Sequence, residues 1–187
     1  MKNFVEIGAC DFDNLDNYLD INNTVFFVEP VPAYYKSLIS KVGKKRNAVF
    51  DNCAISSFNG KTNITFIEPD TAEQQWVRGI SHLDFSSSNL ILKNKNLGYN
   101  IGTPKSVNVR CFTLDYFFYR HGIRNVEYLK MDVEGHELEI LKAFSWRIKP
   151  QRLKIEHKFV NVDELTGMLS EQGYTNIIIG DDVYATL

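Results

Sequence analysis

The stretch YLKMDVEGHE, residues 128–137, combines a short apolar run with two acidic residues and a glycine, and a helical pattern follows it. Such an order is typical of a buried β-strand that enters a helix through a tight turn. In α/β domains built from such units, ligands bind at the carboxyl ends of the parallel strands. The stretch therefore predicts that Asp132 and Glu134 lie at a functional edge of a sheet.

Strand, turn and helix alternate along most of the chain. The predicted strands are 4–8, 24–28, 48–50, 62–67, 107–112, 126–131 and 152–156, and residues 175–179 and 183–187 form a hairpin. The predicted helices are 15–22, capped by Asp13 or Asn14, then 32–42, 114–121, 136–144 and 163–172. This order predicts an α/β fold with a doubly wound, mostly parallel, Rossmann-like sheet and an antiparallel C-terminal hairpin.

Composition limits the class of protein. The 187 residues are 44% hydrophobic, which suits one domain covering 1–187. The 21 Lys and Arg nearly balance the 23 Asp and Glu, so neither a nucleic-acid partner nor a membrane surface is expected, and no stretch predicts a membrane span. Three widely spaced cysteines without a CxxC pair predict buried thiols in a reducing, cytoplasmic compartment.

The segment at about 70–106 lacks periodicity and is rich in Ser, Asn and Gly, so it predicts an acceptor-binding insertion or lid. Its Trp76 and His82 offer flat faces for sugar rings, and Arg78 offers a cation for phosphate or carboxylate groups. A small-molecule or glycan acceptor, such as a nucleotide-sugar or glycolipid, would suit these groups. The alternative is an ordinary insertion whose aromatic side chains pack on the sheet.

The loop after the first strand, Glu6-Ile7-Gly8-Ala9-Cys10-Asp11, has one glycine and lacks the GxGxxG spacing of dinucleotide-binding domains. Its acidic residues would repel a pyrophosphate, whereas they suit a cofactor with a cationic sulfonium and ammonium. The sequence therefore predicts that Glu6, Gly8, Ala9 and Asp11 bind such a cofactor. The alternative is that Gly8 is only a strand-terminating turn.

An acid follows the second strand, at Glu29-Pro30, about 20 residues after the glycine turn, where the ribose is held in this class of fold. One carboxylate accepts hydrogen bonds from both hydroxyls of a vicinal diol. Glu29 and Pro30 are therefore predicted at the cofactor, with Asn52 and Ala54 beside the adenine. The alternative for Glu29 is a surface acid before a proline turn.

The block TLDYFFYRHGIRNVEYLKMDVEGHELEILKAF, residues 113–144, resembles the FkbM-family methyltransferases, which show LD followed by LK-x-D-x-EG-x-E. The resemblance extends to FVEIGA, FFVEP, Ala54-Ile55-Ser56, Asn59-Gly60 and Gly79-Ile80-Ser81, and so to most of the chain outside the lid. It implies a seven-stranded class I methyltransferase fold, S-adenosylmethionine as cofactor, and O-methylation of sugars, glycolipids or related metabolites. It also places Asp132 between cofactor and acceptor.

An acceptor hydroxyl must lose its proton during transfer, and Asp132 and His157 are the candidate bases. His136 opens a helix and is predicted to face solvent. Glu134 is predicted to contact the acceptor. A divalent cation held by Asp132, Glu134 and His157 is an alternative, but without tight ligand spacing no metal is expected.

Two other functions remain open. A NAD(P)-dependent oxidoreductase shares the fold but requires a glycine-rich loop. A degenerate, non-catalytic domain is the second alternative, because many family members have GANxG where this chain has Gly8-Ala9-Cys10-Asp11-Phe12.

Overall fold

The computed structural model describes residues 1–10, 15–43, 45–68 and 104–187, and the backbone of residues 81–82. The strands in these residues are β1 Lys2–Ile7, β2 Asn23–Val28, β3 Ala48–Asp51, β4 Ala54–Ile55, β5 Gly60–Ile67, β6 Ser81–His82, β7 Pro104–Phe112, β8 Tyr128–Met131, β9 Arg152–Glu156, β10 Ile178–Ile179 and β11 Asp182–Thr186. The α-helices are α1 Pro32–Val42, α2 Leu114–Arg120, α3 Glu137–Ala143 and α4 Val162–Glu171.

The main sheet has seven strands in the order β10-β11-β9-β8-β1-β2-β3. β1 pairs in parallel with both β2 and β8, and β9 continues the parallel part. β11 runs antiparallel to β9, and β10 antiparallel to β11. This confirms the predicted mostly parallel sheet with its antiparallel C-terminal hairpin. The strand order reverses between β1 and β8, which makes their carboxyl ends the expected ligand-binding point.

Apolar side chains cover both faces of the main sheet. On one face, Val5 and Leu129 pack in a cluster with Phe117 of α2 and Leu165 of α4. On the other, Phe4 joins residues of β2 and α1. Adjacent residues of a strand point to opposite faces, so helices on both faces make the sheet doubly wound. No helix in the described part of the chain is long and apolar enough to cross a bilayer.

A second sheet, with the order β4-β7-β5-β6, lies outside the main repeat. β5 and β7 pair antiparallel from Gly60 with Cys111 to Ile67 with Pro104. The strand predicted at 107–112 therefore begins at Pro104, and β6 pairs with β5, so parts of the 70–106 segment are strand. The register explains the earlier start, because β5 offers partners as far as Ile67. The lid itself stays a prediction, since 69–80 and 83–103 lie outside the described residues.

Local sequence signals set most of the helix ends. α1 begins at Pro32 and ends at Gly43, whose φ is 76° and whose N–H donates to the Ile39 carbonyl. Thr113 caps α2, its hydroxyl accepting from the Tyr116 N–H. The helix predicted at 15–22 is instead a single 3₁₀ segment at Leu15–Tyr18. The Leu15 N–H donates to the Glu6 carboxylate, which ties this segment to β1.

Candidate active site

Gly8 lies where β1 and β8 separate. The N–H groups of Gly8 and Ala9 both donate to the Val28 carbonyl at 3.0 Å, and Asp132 N–H donates to the Ile7 carbonyl at 3.0 Å. Gly8 has a φ of 78°, and a Cβ at this position would lie 1.8 Å from the Asp132 carbonyl oxygen. Glycine is therefore required here by the backbone of Asp132 as well as by the turn.

Glu6 is fully buried and holds the first loop from within. Its Oε1 pairs with Lys130 Nζ at 2.9 Å, and its Oε2 accepts from Leu15 N–H at 2.8 Å. A buried carboxylate requires such partners, because an unpaired buried charge is costly. Glu6 thus contacts the protein through both oxygens, and binding of the cofactor by Glu6 stays a prediction.

Glu29 joins the first loop to the end of β2. Its Oε2 accepts from Cys10 N–H at 2.9 Å and its Oε1 from Val31 N–H at 2.7 Å, and the residue is only 3% exposed. The Asn52 side-chain amide donates to the carbonyls of Glu29 and Pro30 at 2.7 and 2.9 Å. The structure therefore brings together Glu29, Pro30 and Asn52, and the surface position considered for Glu29 is wrong.

A small pocket, with a cavity volume of about 30 Å³ and partly open to solvent, lies at the carboxyl ends of β1, β2 and β8. Four of the residues predicted at the cofactor line it: Gly8, Pro30, Ala54 and Asp132. The other lining residues are Ile7, Val28, Cys53, Ile55, Ile64 and Val133. Mostly apolar walls with a few polar groups are typical of small-molecule sites.

Three carboxylates meet beside this pocket, and we call Asp132, Glu134 and Glu156 the acidic cluster. Their carboxylate oxygens lie within 4.8 Å of one another. Burial and the nearby Glu156 raise the pKa of Asp132 above its ordinary value. Burial, with the charges of Glu156 and Asp132, raises the pKa of Glu134 to about 9. The charge of Glu156 thus makes ionisation of Asp132 and Glu134 less favourable.

The backbone of the motif turn is held by Glu137. Its carboxylate accepts from Val133 N–H at 2.9 Å and Gly135 N–H at 3.0 Å. Burial raises the pKa of Glu137 to about 7, although both hydrogen bonds favour the ionised form. Glu134 has a φ of 56°, a region that non-glycine residues seldom occupy and that costs about 1 kcal/mol or more. Strain of this kind is typical of functional turns.

Both histidines near the site contact a polar group of another segment. His157 Nε2 lies 2.9 Å from the Gly180 carbonyl oxygen, and because a carbonyl only accepts, Nε2 carries the proton and Nδ1 is the basic nitrogen. His136 was predicted to face solvent, which is wrong. His136 is half-buried. Its Nε2 lies 2.8 Å from the hydroxyl of Ser56, which directly follows β4 of the second sheet.

Some predicted site residues cannot be placed. Asp11, Trp76 and Arg78 lie outside the described residues, as does the side chain of His82. The backbone of His82, in β6, pairs with Thr65 of β5.

Sequence reasoning missed Glu156 and the ionic partners of Asp51. Glu156 ends β9 next to His157, and an acid closing a buried strand was the available signal. Asp51, at the end of β3, pairs with Arg110, Arg120 and His121 at 3.4, 3.0 and 2.9 Å. No local spacing relates Asp51 to these three residues, since β7 and α2 follow it by more than fifty positions.

Comparison with known proteins gives a family match. The family model described as "Methyltransferase FkbM domain" matches residues 6–175 of the chain. No curated protein matches the sequence significantly. Among solved structures, the chain is similar to a methyltransferase FkbM from Methylobacillus flagellatus KT, with 15% identity, a TM-score of 0.56, and coverage of 100% of this chain and 43% of that one. The chain thus spans less than half the length of the Methylobacillus protein.

Two further structures have lower TM-scores. One is a precorrin-6y C5,15-methyltransferase from Geobacter metallireducens GS-15, with 14% identity, a TM-score of 0.47, and coverage of 98% of this chain and 77% of that one. The other is fibrillarin from Aeropyrum pernix, solved with natively bound S-adenosyl-L-methionine, with 12% identity, a TM-score of 0.48, and coverage of 99% and 66%. The Methylobacillus methyltransferase, with the higher TM-score, has a similar fold.

Proposed function

This chain belongs to the FkbM methyltransferase family, whose cofactor is S-adenosylmethionine, and we propose that it transfers the cofactor's methyl group to a hydroxyl of a sugar, glycan or related small metabolite. The observation that carries the proposal is the pocket where β1 and β8 separate, lined by Gly8, Pro30, Ala54 and Asp132. Its position is the one where α/β sheets bind their ligands.

The charges around the pocket favour a cationic cofactor. Glu29 and Asp132 lie at this sheet edge, and their carboxylates would attract a sulfonium or ammonium group and repel a pyrophosphate. A carboxylate has about four acceptor positions, so Glu29 can receive ribose hydroxyls in addition to two backbone N–H groups. This charge balance favours S-adenosylmethionine over NAD(P) and is the main argument against an oxidoreductase.

Methyl transfer is an in-line displacement in which the protein mainly aligns oxygen, methyl carbon and sulfur. The acceptor oxygen bonds to the methyl carbon, the carbon–sulfur bond breaks, and the hydroxyl proton passes to a base. We assign the base role to Asp132, whose raised pKa brings it closer to neutrality and which lines the pocket. His157 Nδ1 is the second candidate, and Glu134 with lid residues Trp76, Arg78 and His82 is assigned to acceptor binding.

One observation favours the alternative of a degenerate domain. Cys10 takes a φ of 44° directly after Ala9, where many family members have Asn, a residue that tolerates this conformation better. The chain nevertheless keeps the Cys10 N–H on Glu29, so the loop retains its contact with the ribose acid.

Calorimetric titration separates these functions. We expect S-adenosylhomocysteine to bind and NAD not to bind. Glu29→Gln should weaken S-adenosylhomocysteine binding by about tenfold, since a charge-assisted acceptor is lost. Glu171→Gln, an exposed residue at the end of α4, is the matched control.

Two other outcomes of this titration would contradict the proposal. No S-adenosylhomocysteine binding at about 1 mM would favour the degenerate domain, and binding of NAD alone would favour the oxidoreductase. If the cofactor binds, mass spectrometry of sugar and lipid extracts incubated with protein and S-adenosylmethionine should detect acceptors that gain one methyl group.

A further inference from the structure

We propose that Asp132, Glu134 and Glu156 bind a divalent cation at the carboxyl ends of β8 and β9, an ion of the Mg²⁺, Mn²⁺ or Ca²⁺ class. All three are carboxylates, and sites with oxygen ligands only select these hard cations over Zn²⁺ or Cu²⁺. The proposal concerns metal binding by the chain alone and goes beyond the methyltransferase function.

The spacing of the cluster suits one ion. The three ligand oxygens lie within 4.8 Å of one another. Oxygens bound to Ca²⁺ at about 2.4 Å can be at most about 4.8 Å apart, and those bound to the smaller Mg²⁺ at about 2.1 Å must be closer. The cluster therefore accepts Ca²⁺ with little movement, and the smaller Mg²⁺ or Mn²⁺ with a small contraction.

A second, independent observation at Glu156 indicates that the cluster binds a ligand. The residue is 4% exposed, and among the described residues its Oε2 has no hydrogen-bond partner. Buried carboxylate oxygens are paired in nearly all proteins, because an unpaired one loses its hydration without compensation. A cation beside Oε2 would compensate for the hydration that this oxygen loses on burial.

The cations that the structure describes near the cluster do not fill this role. Lys158 Nζ contacts the other oxygen of Glu156, Oε1, at 2.8 Å, and its side chain is 65% exposed. Lys130 is buried but its Nζ is paired with Glu6 at 2.9 Å. The two lysines therefore neutralise part of the negative charge near the cluster, and neither donates a hydrogen bond to Glu156 Oε2.

The cluster also differs from the metal set considered from the sequence. That set contained His157, but the imidazole Nε2 contacts the Gly180 carbonyl, and the preceding residue Glu156 occupies the cluster instead. Asp132 belongs to both the cluster and the pocket wall, so an ion held here would lie next to the pocket.

Mn²⁺ alone, without cofactor or acceptor, is the probe. Titration followed by electron paramagnetic resonance should show saturable binding of one ion per chain, and the melting temperature should rise with Mn²⁺. Glu156→Gln and Glu134→Gln should each weaken binding by at least about tenfold. Glu171→Gln removes the same charge from an exposed site and should bind Mn²⁺ like the wild type.

A second measurement tests whether each variant is folded. Circular dichroism and cooperative melting of each variant without metal establish that it is folded, and two independent variants keep the test valid if one is not. Absence of saturable Mn²⁺ binding to the wild type at about 1 mM, or binding unchanged in both variants, would overturn the site. Because no cofactor is used, either result leaves the methyltransferase proposal to its own experiment.

Discussion

Two groups of acidic residues at the same sheet edge, one buried and one partly buried, have opposite surroundings. Glu6 and Glu29, which we call the anchoring acids, accept from the backbone N–H groups of Leu15, Cys10 and Val31, and Glu6 also pairs with Lys130. The acidic cluster instead places three carboxylates beside one another and leaves Glu156 Oε2 unmatched.

This difference in surroundings indicates that the first group of acids serves stability and the second serves function. A buried carboxylate with two donors stabilises the loop that it holds, whereas neighbouring carboxylates destabilise one another. Natural proteins retain such unfavourable groups mainly where a ligand, proton or metal uses them. The anchoring acids should therefore contribute to stability, and the cluster to function at some cost in stability.

The largest effect is expected at the first anchoring acid. Glu6→Gln leaves Lys130 as a buried charge without its carboxylate and should lower the free energy of unfolding by about 3 kcal/mol or more. Urea denaturation measures this change. The double variant Glu6→Gln with Lys130→Met removes both charges and should recover part of the loss. A Glu6→Gln protein as stable as the wild type would remove the distinction between the two groups.

Asp132→Asn tests the cluster through activity. It keeps the shape of the side chain but cannot take a proton, so methyl transfer should slow by about 100-fold. Initial rates with an identified acceptor measure this, and the melting temperature should not fall. A variant with near wild-type turnover would show that the base lies elsewhere, with His157 the next to test.

Glu29→Gln tests the second anchoring acid. An amide offers one acceptor oxygen where the carboxylate offers two, so either Cys10 N–H or Val31 N–H loses its partner. The free energy of unfolding should fall by about 2 kcal/mol in urea denaturation. No change in stability would mean that the first loop does not depend on this carboxylate.

The smallest effect has the opposite sign. Glu156→Gln removes one of three neighbouring carboxylates and adds an N–H₂ group that can donate to a remaining carboxyl group. Without divalent cations, the free energy of unfolding should rise by about 1 kcal/mol. The same denaturation experiment measures it, with Glu171→Gln as the control. A loss of stability would show that the cluster is already balanced.

Much of the fold follows from local sequence patterns. The strand at Arg152–Glu156, the helix from Pro32 and the Thr113 cap were predicted at or near their observed positions. The second sheet was not, because pairing of β5 with β7 joins residues about forty positions apart, and periodicity carries no information on strand partners. The 3₁₀ segment after β1 was also missed, since its shape depends on a contact with Glu6.

By itself, the sequence determined which residues end the strands, and hence that Gly8, Glu29 and Asp132 meet at one edge, because parallel strands bring their carboxyl ends together. Only the tertiary structure decided how these acids differ. Glu6 finds Lys130 at a separation of 124 residues, and Glu156 rather than His157 joins Asp132 and Glu134. The charge state and role of a buried carboxylate depend on neighbours supplied by distant segments, which no local pattern specifies.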